Sequence, residues 1–244
     1  MAREMRAFEE GAGHLVRVPA GPVVLEGNLE IPEGATRIVL FAHGSGSSRH
    51  SPRNRAVARS LQVDGLGTLL VDLLTTDEEI ADDASGRLRF DIDLLAERLI
   101  GATDWLAEES ATKKLRVGYF GASTGGGAAI VAAAQRPNIV RAVVSRGGRP
   151  DLAGAALSRV RVPTLLIVGG EDDPVLAMNR TALEKIQAKK RLEIVPGATH
   201  LFEEPGALEQ VARLAADWFR TWLGPSGKAG LREASSGGAV LDEV

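Results

Sequence analysis

Short apolar runs of strand length alternate with segments of helical periodicity along most of the chain. Uninterrupted apolar runs are typical of strands that are buried on both faces, as in parallel sheets. Segments whose apolar positions recur every three or four residues are typical of helices that pack one face on a core. The pattern predicts strands at residues 14–18, 23–31, 38–42, 66–74, 115–120, 140–145, 164–168 and 192–195, and helices at 52–63, 90–108, 124–135, 175–187 and 208–223.

Strand–helix alternation forms parallel crossovers, so we predict an α/β fold: a mostly parallel sheet with helices on both faces. The turn Pro19-Ala20-Gly21-Pro22 separates the first two strands, which predicts an antiparallel N-terminal hairpin. We expect one domain over residues 1–223, without a large cap domain because the later connections are short. Residues 224–244 are predicted to be a flexible C-terminal tail. Residues 75–89 are rich in Asp and Glu, and we expect a solvated acidic loop, the longest candidate for a lid.

Composition excludes several classes of protein. Hydrophobic residues make up 44% and charged residues 25%, which is typical of a globular domain. The net charge is −3 and the charges are mixed, so we predict no nucleic-acid partner. There is no cysteine, which excludes disulfides, thiolate metal sites and a cysteine nucleophile. We predict a cytoplasmic protein with no membrane contact, because we find neither a secretory signal nor a long apolar run. The oligomeric state stays open.

A G-x-S-x-G motif occupies residues 121–125, between a predicted strand and a predicted helix. At such a turn the two glycines let strand and helix approach closely, and the serine hydroxyl stays exposed as a nucleophile. A phosphate-binding loop is disfavoured, because no lysine follows the glycines and the spacing is not G-x-G-x-x-G. A tight packing turn is the other alternative. The placement of the motif predicts that Ser123 is a nucleophile.

A serine hydroxyl needs a general base, which is usually a histidine oriented by a carboxylate. Among four histidines, His200 follows the predicted strand 192–195, and it comes after the serine in the order typical of this fold. The carboxylate is expected after the preceding strand, 164–168, where three acidic residues follow one another. From the residues alone, Asp172 and Asp173 are equally good candidates.

The loop after the third predicted strand is rich in glycine and serine. An acyl-transfer site needs two backbone N–H donors for the oxyanion, one from this loop and one from the residue after the nucleophile. That requirement nominates the N–H groups of Ser45 and Thr124. We predict that this loop lines the substrate site through His43, Gly44 and Gly46. The two glycines would let the backbone approach a substrate. The alternative for this loop is an ordinary Ser/Gly turn.

Arginines are frequent near these loops. If two or more of them point inward, they favour an anionic acyl or leaving group. The alternative is that they are surface residues at the ends of helices and strands. The candidates are Arg49, Arg53, Arg55, Arg146 and Arg149.

Together these segments resemble the α/β-hydrolase superfamily, and most closely its dienelactone-hydrolase-like members, over residues 14–223. The resemblance implies a serine hydrolase without cofactor or metal that cleaves carboxylic esters, or related acyl bonds, of a small-molecule substrate. Its pattern G-G-x-D-x-x-V places the catalytic carboxylate at Asp172. The segments that carry the resemblance are His43-Gly44-Ser45-Gly46, Ser51-Pro52-Arg53-Asn54-Arg55, the serine motif, Gly169-Gly170-Glu171-Asp172 and Pro196-Gly197-Ala198-Thr199-His200.

One difference from that family bears on the substrate. Dienelactone hydrolases are known for a cysteine nucleophile, and this chain has Ser123 at the matching position. The serine favours general carboxylesterase chemistry over dienelactone cleavage. Acyl transfer to an acceptor other than water and dienelactone-type lactone hydrolysis, both on the same three residues, are the alternatives. A non-catalytic binding module is disfavoured, because it does not explain why Ser, His and Asp all follow strands.

Overall fold

The computed structural model describes residues 13–224, which form one eight-stranded sheet with helices on both faces. Short 3-10 turns occur at Leu88–Phe90 and Pro150–Ala153. The strands are β1 (His14–Ala20), β2 (Val23–Glu30), β3 (Arg37–Ala42), β4 (Gly67–Val71), β5 (Arg116–Ala122), β6 (Val140–Arg146), β7 (Thr164–Gly169) and β8 (Lys190–Val195). The α-helices are α1 (Pro52–Val63), α2 (Thr76–Ser85), α3 (Ile92–Glu108), α4 (Thr124–Gln135), α5 (Ala156–Arg159), α6 (Asp173–Lys185) and α7 (Ala207–Trp222).

The strand order is β1-β2-β4-β3-β5-β6-β7-β8. Strands β3 to β8 are parallel, whereas β2 pairs antiparallel with both β1 and β4. The predicted mostly parallel sheet with an N-terminal antiparallel hairpin is therefore confirmed. Because the carboxyl ends of parallel strands meet at one edge, the loops after β3, β5, β7 and β8 are brought together there.

The core has two layers, one on each face of the sheet. Successive side chains of a strand point to opposite faces, so Tyr119 packs with α3 and α4 while Phe120 packs with α1 and α7. Phe120 also contacts Phe41 of β3, with ring centroids 4.9 Å apart. Both layers are apolar, which explains why the central strands are unbroken apolar runs.

The expectation of an acidic loop at residues 75–89 is wrong, because residues 76–85 form α2. The Thr75 hydroxyl accepts a hydrogen bond from the Glu78 N–H, and the Glu78 carboxylate accepts one from the Thr75 N–H. This capping box satisfies two backbone donors at the start of the helix. The acidic residues of the first turn are favoured there by the helix dipole. The Thr-x-x-Glu spacing was the signal in the sequence that indicates this helix.

The predicted C-terminal tail lies outside the described residues, except for Gly224. Within residues 13–224, no helix combines the length and the apolar character that a membrane span requires.

Candidate active site

Ser123 lies between the last residue of β5 and the first residue of α4, with φ 51° and ψ −121°. A positive φ is strained for a residue with a side chain, at a cost of about 1–3 kcal/mol. Backbone hydrogen bonds hold it there: its N–H donates to the Arg146 carbonyl (3.2 Å), and its carbonyl accepts from Gly126 and Arg149 (3.0 Å each). Such a strained strand-to-helix turn is typical of a nucleophilic serine.

The glycines on either side of Ser123 are required by packing. A Cβ at Gly121 would overlap the backbone of Gly125 at the start of α4. A Cβ at Gly125 would overlap the carbonyl oxygens of Ala42 and His43 at the end of β3. A side chain at either position would therefore push α4 away from the sheet and move the serine.

His200 and Asp172 contact each other directly. The His200 Nδ1 lies 2.6 Å from Asp172 Oδ2, and the two side chains are 39% and 11% exposed, respectively. With the Nδ1 proton donated to this carboxylate, Nε2 is the imidazole nitrogen that can accept a proton. Asp172 makes no capping hydrogen bond to α6. Its neighbour Asp173 is exposed, as the first residue of α6.

The imidazole of His200 also lies close to the serine turn. Gly147 directly follows Arg146, whose carbonyl accepts a hydrogen bond from the Ser123 N–H. A Cβ built on Gly147 would be 3.5 Å from His200 Cε1, so the ring packs over the end of β6, beside β5. The structure therefore brings Ser123, His200 and Asp172 to the same edge of the sheet.

The loop after β3 packs against the serine turn. A Cβ on Gly44 would be 2.9 Å from Ser123 Cβ, so a larger residue there would displace the serine. The Ser45 N–H donates to the buried Thr124 Oγ1 at 2.9 Å. The N–H of Thr124, in the first turn of α4, has no acceptor within its helix. The Ser45 N–H already donates to Thr124, and this hydrogen bond must break before the N–H can bind an oxyanion. Its role as an oxyanion donor therefore stays a prediction.

His43 is only 7% exposed, and its ring lies beneath this loop. Its Nε2 accepts a hydrogen bond from the Leu73 N–H at 3.0 Å, so Nδ1 carries the proton and donates to the Gly44 carbonyl, also at 3.0 Å. Burial lowers the pKa of His43, against the opposing effects of the Gly44 carbonyl and Asp72. The neutral ring therefore ties the loop to the end of β4.

We expect His43 to make the protein sensitive to mild acid. Since the pKa of His43 is lower in the folded than in the unfolded chain, its contribution to stability is present above about pH 6.5 and is lost as the pH falls below it. Urea denaturation of the wild type should show a drop in the free energy of unfolding between pH 7 and pH 5. A His43→Gln variant should show a smaller drop. The exposed His50, replaced by Gln, is the control, and equal drops in all three proteins would contradict the prediction.

A cavity of 300 Å³ adjoins the loop after β3 and lies under α2. The guanidinium of Arg89 is held at its wall by the fully buried Asp82, through a 2.6 Å bond from Nε to Oδ2. Burial and the charges of Asp72 and Asp83 raise the pKa of Glu79, on the same wall. The sequence prediction missed these residues because it treated the segment as a loop. The cavity is lined by residues 43–48 and by Leu74, Glu79, Asp82, Asp83, Arg89 and Leu95.

The arginines near the site differ in their environments. Arg49 pairs with Asp72 and Glu26, Arg53 with Glu203, and Arg149 with Asp151. Arg146 is buried, and no ion pair with a carboxylate forms at it within residues 13–224. Of the five candidates, Arg146 alone is buried, so two or more inward-facing arginines are not found among them.

The fold and the arrangement at the edge of its sheet define an α/β hydrolase. The sequence pattern of the dienelactone hydrolase family matches residues 31–223, and the chain belongs to that family.

Solved structures are similar to this chain in fold, and one of them is also similar in sequence. The dienelactone hydrolase from Anabaena variabilis ATCC 29413, known from a crystal structure, is 66% identical in sequence to this chain. The match covers 86% of this chain and 97% of the Anabaena chain, with a TM-score of 0.85. Est1E from Butyrivibrio proteoclasticus shares the fold at 15% identity, with a TM-score of 0.70 over 84% of this chain and 97% of that chain.

A curated relative has a different kind of name. A protein of Mycobacterium tuberculosis (strain ATCC 25618 / H37Rv), named as a phosphoribosyl transferase, is 60% identical over 215 residues. The match covers 87% of this chain but 48% of that protein, so the chain spans about half the length of this curated relative.

Proposed function

We propose that the chain is a serine hydrolase that cleaves carboxylic esters through an acyl-enzyme on Ser123. The observation that carries this proposal is the strained Ser123 at the same carboxyl edge of the sheet as the His200–Asp172 pair. Membership of a hydrolase family supports hydrolytic chemistry in general. A small-molecule ester as the substrate and a cytoplasmic location are our predictions.

In the proposed mechanism, His200 Nε2 removes the Ser123 proton as Oγ attacks the acyl carbonyl. Asp172 holds the imidazole tautomer and stabilises its positive charge. The N–H groups of Thr124 and Ser45 bind the oxyanion, and each such donor lowers the barrier by about 3 kcal/mol. At this point the Ser45 N–H stops donating to the Thr124 hydroxyl and donates to the oxyanion instead.

Collapse of the first intermediate breaks the ester C–O bond. His200 gives its proton to the leaving alcohol, and the acyl group stays on Ser123. A water molecule then attacks the acyl carbonyl while His200 takes its proton. The second intermediate releases the carboxylic acid and returns the proton to Ser123, so the enzyme is regenerated.

The names of the relatives suggest narrower or different reactions. The Anabaena protein is called a dienelactone hydrolase, and a lactone is an internal ester that the same steps would open. We favour general esters because the nucleophile here is a serine. Phosphoribosyl transfer moves a sugar and not an acyl group, and that name belongs to a protein of which this chain matches about half. We therefore do not propose it for this chain.

A panel of 4-nitrophenyl esters with acetyl, butyryl and octanoyl groups tests the proposal. We expect saturable hydrolysis that is fastest with the short acyl groups, because the cavity beside the loop after β3 measures only 300 Å³. Adding methanol separates hydrolysis from transfer: a hydrolase yields mainly free acid, whereas a transferase yields mainly the methyl ester. Release of nitrophenolate no faster than in buffer would refute ester cleavage.

A further inference from the structure

Arg146 is the last residue of β6, and its side chain is buried without a counter-ion among residues 13–224. Ser145 packs towards α4, so the alternation along the strand points Arg146 to the face that carries α1 and α7. The residue is 7% exposed. Its Nη2 donates a weak 3.4 Å hydrogen bond to Asn54 Oδ1, and its guanidinium carbon lies 5.8 Å from the centre of the Phe202 ring. Neither Nε nor Nη1 has a hydrogen-bond partner among the described residues.

The groups around Arg146 add positive potential. Asn54 lies in the first turn of α1, a twelve-residue helix whose first turn holds no acidic residue. A helix N-terminus favours negative charge because the helix dipole is positive there. In α1 the dipole is the main contribution, since Pro52 has no N–H and the Asn54 N–H donates to the Ser51 hydroxyl. Burial, and after it the charge of Arg53, lower the pKa of Arg146 to about 10. A buried cation at a helix N-terminus is costly unless an anion lies beside it.

The Arg146 side chain lies near the turn that carries the proposed general base, His200. The Arg146 carbonyl accepts the Ser123 N–H, and Phe202 is two residues after His200. The ion pair between Arg53 and Glu203 joins the first turn of α1 to the turn after His200, and both of its side chains are partly exposed. An anion held by the Arg146 side chain would therefore lie beside Asn54 and Phe202, next to the turn that carries the general base.

We propose that Arg146 and the first turn of α1 form an anion-binding site that takes one carboxylate or phosphate group. A guanidinium suits both groups, since each offers two oxygens to its parallel N–H donors. The anion is either part of the ester substrate or a free ion, and two measurements distinguish these sources. The second rests on the proposed esterase function, whereas the first does not.

The first measurement is thermal unfolding at constant ionic strength, with increasing sodium phosphate or sodium acetate. We expect the wild-type Tm to rise by about 3 °C in a saturable way, since a ligand that binds only the folded state stabilises it. In Arg146→Met, which keeps the length and loses the charge, the rise should disappear. Arg149→Met is the matched control, because Arg149 pairs with Asp151 at the surface, and it should keep the rise.

The second measurement compares 4-nitrophenyl hydrogen succinate with neutral 4-nitrophenyl butyrate. If the anion belongs to the substrate, the wild type should prefer the succinate by about tenfold in kcat/KM, and the ratio of the two kcat/KM values should fall to about one in Arg146→Met. A Tm rise that depends on Arg146 without this preference assigns the site to a free anion.

The proposal is overturned if neither the Tm rise nor the preference depends on Arg146. A lower Tm of Arg146→Met, with the anion response intact, would mean that the arginine only packs against Phe202 and Asn54. If Arg146→Met does not fold, Arg146→Lys replaces it: the point charge remains but the paired donors are lost, so the anion response should weaken. If the wild type hydrolyses no ester, the proposed function fails while the Tm measurement still decides the site.

Discussion

Replacing Ser123 with Ala is expected to reduce kcat for ester hydrolysis by a factor on the order of 10⁶, the loss known for a nucleophile that acts as a unit with its base. The variant should fold, because alanine at this position removes only the hydroxyl, and the hydrogen bonds that hold the turn come from main-chain groups. The rate with 4-nitrophenyl acetate, and the intact mass after treatment with a fluorophosphonate probe, measure the loss. The wild type should gain one probe adduct and the variant none.

A matched control is Ser158→Ala. Ser158 is an exposed residue of α5 whose hydroxyl donates to the Ala155 carbonyl, and its loss should leave both the rate and the labelling unchanged. Labelling that persists in Ser123→Ala would place the nucleophile elsewhere and refute the proposed acyl-enzyme.

Asp172→Asn and Asp173→Asn are expected to affect catalysis very unequally. Asp172 contacts His200 Nδ1 at 2.6 Å, and an amide there neither fixes the required tautomer nor stabilises the imidazolium, so kcat should fall by about 10⁴-fold. Asp173 is exposed, and its carboxylate faces solvent at the start of α6, so its loss should change kcat less than about threefold. Steady-state kinetics with the same ester measure both.

Each of these variants serves as the control for the other, because they remove the same charge from neighbouring positions. Urea denaturation should confirm that both fold. Small and equal losses of kcat would mean that the carboxylate that orients His200 lies elsewhere in the chain. A large loss in Asp173→Asn alone would reverse the assignment.

The segment between β4 and α3 forms part of the wall of the cavity beside the candidate active site. Its helix α2 closes one side of a 300 Å³ cavity next to Ser45 and Gly46. If the proposed function holds, we expect substrate selection to involve cavity residues that no motif singles out. Among them, Arg89 and Asp82 bond to each other, and Arg89 also bonds to Asp83. These charged side chains make one wall of the cavity polar.

Local patterns were sufficient to predict most elements and the serine turn. The helices at 52–63 and 124–135 have the predicted bounds, because a proline or a glycine-rich turn marks where each begins. The fold class followed from apolar runs that alternate with helical periodicity, which is a local property. Smaller errors came from local groups that were overlooked: Asp91 accepts a hydrogen bond from the Leu94 N–H and starts α3 later than predicted, and the capping box of Thr75 starts α2.

The sequence by itself therefore determined the order of the strands and of five helices along the chain, but not α2 or α5. It also determined the glycine-flanked Ser123 and the position of His200 after a strand, because each depends on neighbours in the chain. Only the tertiary structure decided which aspartate contacts His200, that Ser45 donates to Thr124, and that Arg146 is buried with no counter-ion in the described part of the chain. The contact between Asp172 and His200 joins residues 28 positions apart, and that between Ser45 and Thr124 joins residues 79 positions apart. The hydrogen bond from Arg146 to Asn54 joins residues 92 positions apart. No periodicity encodes such distances, since they follow from how the sheet brings separate loops to one edge.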